Sequence, residues 1–232
     1  MIVTPRFVFL HLHKSGGTFV NTGLMQFLPG SRQLGYHLPR SMIPAPFVAL
    51  PMLGLVRNPW SYYVSWYSFQ RARLQPNALF QVLSAGGTLD FKGTVRNMLS
   101  LGRDTALLDK VIAALPRAYA NQGLNLPGFA LAPIRGSGLG FYSFLYRYLY
   151  GPDVEAVKLS RMEQLRTEMP RLLAEIGEPQ AAGLRDYLAA APALNTSEHG
   201  AYSKLYDDEL VELVAERDRL VIGKHGYAFV DA

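Results

Sequence analysis

The first apolar run of the chain leads into a helical pattern through a short polar turn. Residues 7–12 are almost entirely large and apolar, which is typical of a buried strand. After the turn, Val20, Leu24 and Phe27 recur at helical spacing. The pattern therefore predicts a strand, a tight turn and a helix within the first 27 residues.

A second unit of the same kind follows about thirty residues later. Residues 53–56 form another short apolar run and precede a charged turn. Asn58 can cap a helix, and Pro59 suits its first position. We therefore expect a strand that ends near Val56 and a helix that extends to about Arg73.

Beyond residue 70 the pattern is mostly helical. We expect helices over 88–101, 105–115 and 141–150, and a helix that begins near Asp207 and ends at Gly223. Residues 116–140, rich in Pro and Gly, predict a long irregular loop.

The turn after the first strand has the composition of an anion-binding loop. Lys14, Ser15, Gly16, Gly17 and Thr18 stand where the strand passes into the helix. Glycines let backbone N–H groups converge, the helix N-terminus adds partial positive charge, and the lysine adds a full charge. The nucleotide triphosphatase spacing G-x-x-x-x-G-K-[ST] is absent. The pattern favours a phosphate or sulfate group, and a purely structural Gly-Gly turn is the alternative.

The second turn offers a complementary pair of donors. Arg57 follows the strand directly, and Ser65 lies eight residues later within the helix. A guanidinium presents a planar fork of donors that fits a phosphate, and a serine adds one hydroxyl. Alternatively, Arg57 forms a structural ion pair and Ser65 only packs.

Together, the two motifs resemble the sulfotransferases that use 3′-phosphoadenosine 5′-phosphosulfate (PAPS), in their carbohydrate-type, heparan sulfate 2-O-sulfotransferase-like branch. In that family, Lys-[Ser/Thr]-Gly-[Gly/Thr]-Thr holds the 5′-phosphosulfate. A later Arg-[Asp/Asn]-Pro, with a serine eight residues after the arginine, holds the 3′-phosphate. Residues 14–18 and residues 57–59 with Ser65 match both patterns in order.

The resemblance extends more loosely through the rest of the chain, over residues 157–165, 195–202, 206–210 and 226–229. It implies one sulfotransferase domain over residues 1–232. The implied fold is a three-layer α/β/α arrangement with a central parallel sheet, related to P-loop nucleotide kinases. Ligands of open α/β sheets bind at the carboxyl ends of the strands, where both motifs stand.

The implied reaction transfers a sulfuryl group to a hydroxyl, and it needs a cation at the leaving oxygen and a base for the acceptor proton. Lys14 is the expected cation. The resemblance assigns the base to His37, whose Gly-Tyr-His element matches a Gly-x-His element of the family. His199, Glu163 and Glu198 are the alternatives.

The other three histidines fit different roles. His11 lies in the first apolar run and is expected to be a core or sheet residue. His13 adjoins the lysine and shapes the loop. His225 is expected in a turn near the chain end.

Composition narrows the classes of partner. The net charge of +5 is spread along the chain without a dense basic run or a reader motif, so nucleic-acid binding is not expected. The chain has no cysteine and no convincing metal-ligand spacing, and the chemistry needs no metal. No signal-peptide pattern and no 18-residue apolar stretch is present. We therefore expect a soluble, bacterial-type, cytoplasmic enzyme, with no membrane span, that acts on a carbohydrate or small-molecule hydroxyl.

Two other functions fit the same motifs. A small-molecule phosphotransferase with an unusual phosphate loop would need Mg²⁺ and a carboxylate to hold it. A domain that binds an anionic nucleotide or a glycan without turnover would keep Lys14 and Arg57 but would lack a working base.

Overall fold

The computed structural model describes residues 1–119, 123, 125–178, 182–192 and 202–230. These residues form two compact units whose segments alternate along the chain. The first unit contains residues 1–57, Gly123 and the described part of 147–196, and the second contains the described residues of 58–121, 125–146 and 197–232. The expectation of a single sulfotransferase domain over 1–232 stays a prediction.

The described residues form an α/β protein with a five-stranded mixed sheet and eleven helices. The strands are β1 (Ile2–Val3), β2 (Val8–Leu10), β3 (Arg32–Gln33), β4 (Met52–Val56) and β5 (Val157–Arg161). The helices are α1 (Gly17–Phe27), α2 (Pro59–Arg71), α3 (Ala78–Leu83), α4 (Phe91–Ser100), α5 (Thr105–Ala114), α6 (Gly128–Leu131), α7 (Phe141–Tyr150), α8 (Leu165–Glu175), α9 (Ala182–Ala190), α10 (Asp208–Arg217) and α11 (Arg219–His225).

The sheet belongs to the first unit and has the strand order β3-β1-β2-β4-β5. β2, β4 and β5 are parallel, and β1 is antiparallel to both β2 and β3. The expectation of a wholly parallel sheet is therefore wrong for one strand, because β1 runs opposite to the other four. The reason is a tight turn in which Thr4 N–H donates to Phe7 O over 2.9 Å, with Pro5 at a favoured turn position.

A core cluster of the first unit lies against one face of this sheet. Phe9, Leu53 and Leu55 of the strands pack with buried apolar residues of α1, α8 and α9. On β4, Gly54 permits a close approach of an aromatic ring, because a Cβ there would lie 2.6 Å from Cε1 of Tyr150. The Tyr150 hydroxyl then donates to Leu55 O over 2.6 Å and accepts from Leu55 N–H. These contacts fix Tyr150 against β4, and β4 leads directly into the second predicted motif.

In its described residues, the second unit is mostly helical, and a buried carboxylate lies at its centre. Asp218 is fully buried and accepts from the Tyr63 hydroxyl over 2.6 Å and from Ser143 N–H over 2.7 Å. Burial raises the pKa of Asp218 to about 6, against these hydrogen bonds. Gly140 leaves room for this carboxylate, since a Cβ there would meet Asp218 Oδ1 at 2.7 Å.

The C-terminal helical region differs from its prediction. One helix ending at Gly223 was expected, but α10 ends at Arg217 and α11 continues to His225. Helix α11 ends because Gly226 adopts a left-handed conformation with φ +62°, whereas Gly223 lies inside the helix. The irregular loop over 116–140 contains the short helix α6 and a 3₁₀ turn at Ala132–Ile134.

Candidate active site

The predicted anion loop connects β2 to α1 at the carboxyl end of the strand. The chain reverses direction through two left-handed residues, Lys14 with φ +53° and Gly16 with φ +82°. A left-handed conformation is costly for lysine, and strain of this kind is concentrated at functional sites. Gly16 is the N-cap of α1 and supplies no side-chain cap. The first N–H groups of the helix are therefore not satisfied by a cap.

The described part of the chain provides no hydrogen-bond acceptor for the backbone N–H groups of residues 15–18. The Ser15 side chain is fully buried and donates to His13 O over 3.1 Å, which closes the turn. Thr18 is exposed in the first turn of α1. The loop therefore presents backbone donors, while the serine hydroxyl supports its shape.

The second glycine of the motif makes room for a histidine ring. A Cβ on Gly17 would lie 1.9 Å from Cδ2 of His11, a distance that no packing adjustment of the ring could relieve cheaply. His11 is buried, and its Nδ1 accepts from the Asn21 amide over 3.3 Å. The expectation of a buried His11 is confirmed, although His11 follows the last residue of β2 and does not lie within it.

Arg57 and Lys14 meet at neighbouring strand ends. Arg57 follows the last residue of β4, is 8% exposed, and donates from Nη1 to Lys14 O over 2.9 Å. Burial, and then the charge of Arg57, lower the pKa of Lys14 to about 8. Two cations thus lie together in a partly desolvated place, where a bound anion would relieve their repulsion.

Ser65 belongs to the second unit, within α2, and is buried. The start of α2 was predicted correctly: Pro59 is its first residue, and Asn58 caps it by accepting from Trp60 N–H and Ser61 N–H. The role of Ser65 at a 3′-phosphate stays a prediction.

His37 lies in the first unit beside the anion loop, with its imidazole held from several sides. Nδ1–H donates to His11 O over 2.8 Å, which leaves Nε2 as the nitrogen with the lone pair. The backbone N–H of His37 donates to Gly123 O. Burial lowers the pKa of His37 to about 4, although the hydrogen bond to His11 O raises it. His37 is therefore neutral near pH 7 in this structure and carries a proton acceptor at Nε2.

The ring contacts of His37 were not predicted. The His13 ring stacks on His37 with centroids 3.5 Å apart and an interplanar angle of 22°. The His11 ring approaches edge-on with a centroid separation of 4.6 Å. Sequence reasoning treated these three histidines one by one. The available signal was His-x-His-Lys at the end of a strand, which puts two imidazoles next to the loop lysine.

Of the three alternative bases, only Glu163 lies within the described residues and can be compared with His37. Glu163 is exposed, in the 3₁₀ turn Met162–Gln164 that follows β5. This turn approaches the anion loop, because a Cβ on Gly16 would lie 3.4 Å from Cγ of Met162. His199 and Glu198 lie outside the described residues. His225 is the last residue of α11 and forms a 2.9 Å hydrogen bond with the Tyr146 hydroxyl in the second unit.

Within the described ranges, no group of three or more His, Cys, Asp or Glu side chains is placed to hold a metal ion. No helix in that part of the chain is both long and apolar enough to cross a membrane. Comparison of the chain with protein-family models, curated proteins and solved structures finds no match.

Proposed function

We propose that this chain is a PAPS-dependent sulfotransferase that transfers a sulfuryl group to a hydroxyl of a carbohydrate or small molecule. The proposal includes the three-layer, nucleotide-kinase-like sulfotransferase fold that the sequence motifs imply. The contact of Arg57 with the Lys14 backbone carbonyl supports it most directly, because it joins two motifs 43 residues apart, and the charge of Arg57 also acts on the Lys14 ammonium.

In the proposed reaction, residues 14–18 hold the 5′-phosphosulfate of the donor through backbone N–H groups and the Lys14 ammonium. Arg57 stands beside the same loop as a second, permanently charged donor. The donor supplies the activated sulfuryl group, and the protein supplies position and charge.

The proton of the acceptor passes to His37. Its Nε2 takes the proton of the acceptor hydroxyl while that oxygen bonds to sulfur and the bond from sulfur to the phosphate oxygen breaks. Lys14 stabilises the negative charge that develops on that phosphate oxygen. The hydrogen bond from Nδ1–H to His11 O supports this role, since it fixes the tautomer that leaves Nε2 available.

A thermal-shift series with 3′-phosphoadenosine 5′-phosphate (PAP), ATP and ADP, each with and without Mg²⁺, tests the proposal. PAP at about 100 times its Kd should add about 2.7 kcal/mol of stability. For a chain of this size that corresponds to a rise in Tm on the order of 5–10 °C. The rise should not depend on Mg²⁺, because the proposed site holds the phosphates with protein cations.

Lys14→Met should remove most of this rise, whereas Lys110→Met should keep it, since Lys110 is exposed on α5. A preference for ATP with Mg²⁺ would contradict the proposal and favour a phosphotransferase. PAP binding without sulfuryl transfer to any alcohol or sugar in a panel would favour a binding domain.

A further inference from the structure

The imidazole of His37 is enclosed by two other histidines, one of which directly precedes the anion loop. His13 covers one ring face at 3.5 Å, and His11 meets the ring edge-on and accepts its Nδ1–H. His13 is also the residue immediately before Lys14, whose φ of +53° reverses the chain. The ring that covers the candidate base is therefore joined directly to the lysine that would face the donor.

We propose that His13 is a positioning residue that shields one face of the His37 imidazole from water and ties the position of the base to the anion loop. The inference rests on the proposed function only in treating His37 as the base, because the contacts themselves hold in the protein alone.

The nearly parallel stack has a physical consequence for the base. An imidazole that is covered by another ring loses water on that face, and the loss of water disfavours the charged form. Among the residues that the structure describes, the titratable groups around His37 are His11, His13, Tyr36 and the buried α-amino group of Met1, which donates to Gly35 O and Tyr36 O. None of these groups is a carboxylate that could favour the protonated ring. Removal of the His13 ring should therefore let water reach His37 and raise its pKa.

Histidine titration by NMR tests the inference on the whole protein without an acceptor. The chain has five histidines, so five Cε1–H signals are expected, and His37→Gln identifies the signal of His37 by its loss. In the wild-type protein this signal should not titrate above pH 5, because burial lowers the pKa of His37 to about 4. His13→Ala should raise that pKa by about 1–2 pH units toward its ordinary value.

Two variants separate stacking from other effects. His13→Phe keeps a flat ring over His37 and should leave its titration within about 0.3 pH units of wild type. His225→Ala, in the second unit, should leave it unchanged. A His37 titration in His13→Ala that equals the wild-type one would overturn the inference, as would an equal rise in His13→Phe.

The stability of the variants and their binding of PAP are measured separately from the His37 titration. His13→Phe should keep the Tm of the wild-type protein. It is therefore the folded variant for comparison if His13→Ala is unstable. PAP binding is measured on the same samples and should remain within about twofold of wild type in His13→Phe, since the loop N–H groups are unchanged. A failure of PAP to bind any variant, wild type included, would contradict the proposed function but not the stacking inference.

Discussion

Binding of PAP should draw a proton onto Lys14. In the free protein, burial and the neighbouring Arg57 lower the pKa of Lys14 to about 8. A phosphate dianion on the loop reverses the balance, because it attracts the ammonium and offsets the repulsion from Arg57. We expect binding to restore the pKa of Lys14 to near its ordinary value of 10.5.

The magnitude follows from the two pKa values. With a free pKa of about 8, Lys14 is half neutral at pH 8 and about nine-tenths neutral at pH 9. Binding should therefore take up about 0.5 proton at pH 8 and about 0.9 at pH 9. The affinity should fall about tenfold between pH 7 and pH 9, since the stability of the complex is lost as pH rises through the free pKa.

Isothermal titration calorimetry measures this uptake directly. PAP is titrated at pH 8 and pH 9 in two buffers with different heats of ionisation, and the difference gives the number of protons bound. The phosphates of PAP do not interfere, because their second ionisation lies near pH 6 and is complete at both pH values.

Lys14→Arg is the matched control. It keeps a positive charge that does not titrate in this range, so it should bind PAP without proton uptake and with little change in affinity up to pH 9. Uptake near zero in the wild-type protein, or equal uptake in Lys14→Arg, would refute the assignment of Lys14 to the anion site.

Arg57→Ala should weaken PAP at least about tenfold more than its analogue without the 3′-phosphate, as measured by competition binding, and equal losses would remove Arg57 from a 3′-phosphate site. His37→Ala should lower turnover about 10²–10⁴-fold while PAP affinity holds, and unchanged kcat would exclude His37 as the base. Because the pKa of the fully buried Asp218 is raised to about 6, its contribution to stability should fall by about 2 kcal/mol as pH rises from 4.5 to 7. Asp218→Asn should remove this pH dependence of the unfolding free energy. Urea unfolding followed by tryptophan fluorescence measures it, because both tryptophans belong to the second unit. An unchanged pH dependence in Asp218→Asn would contradict the prediction.

Local chemistry made the two turns predictable. Asn58 and Pro59 set the start of α2 at the expected residue, and α1 starts at Gly17, the second glycine of the loop. Helix α7 spans 141–150 as its apolar pattern predicts. In each case one or two neighbouring residues carry the signal, so the sequence alone is sufficient.

The missed features depend on contacts between distant segments. β1 and β3 have two residues each, which is too short for an alternating pattern to show. The end of α10 is set near Asp218, a carboxylate buried by residues far away in the chain. The stack of His13 on His37 joins segments 24 residues apart, and nothing in either segment alone indicates it.

A crystal structure with PAP would show whether Lys14 and Arg57 bind one ligand. We expect the 5′-phosphate within hydrogen-bond distance of the Lys14 ammonium and of backbone N–H groups of residues 15–18, with Arg57 beside the same ligand. A 5′-phosphate bound away from this loop, or a ligand that contacts neither Lys14 nor Arg57, would contradict this expectation.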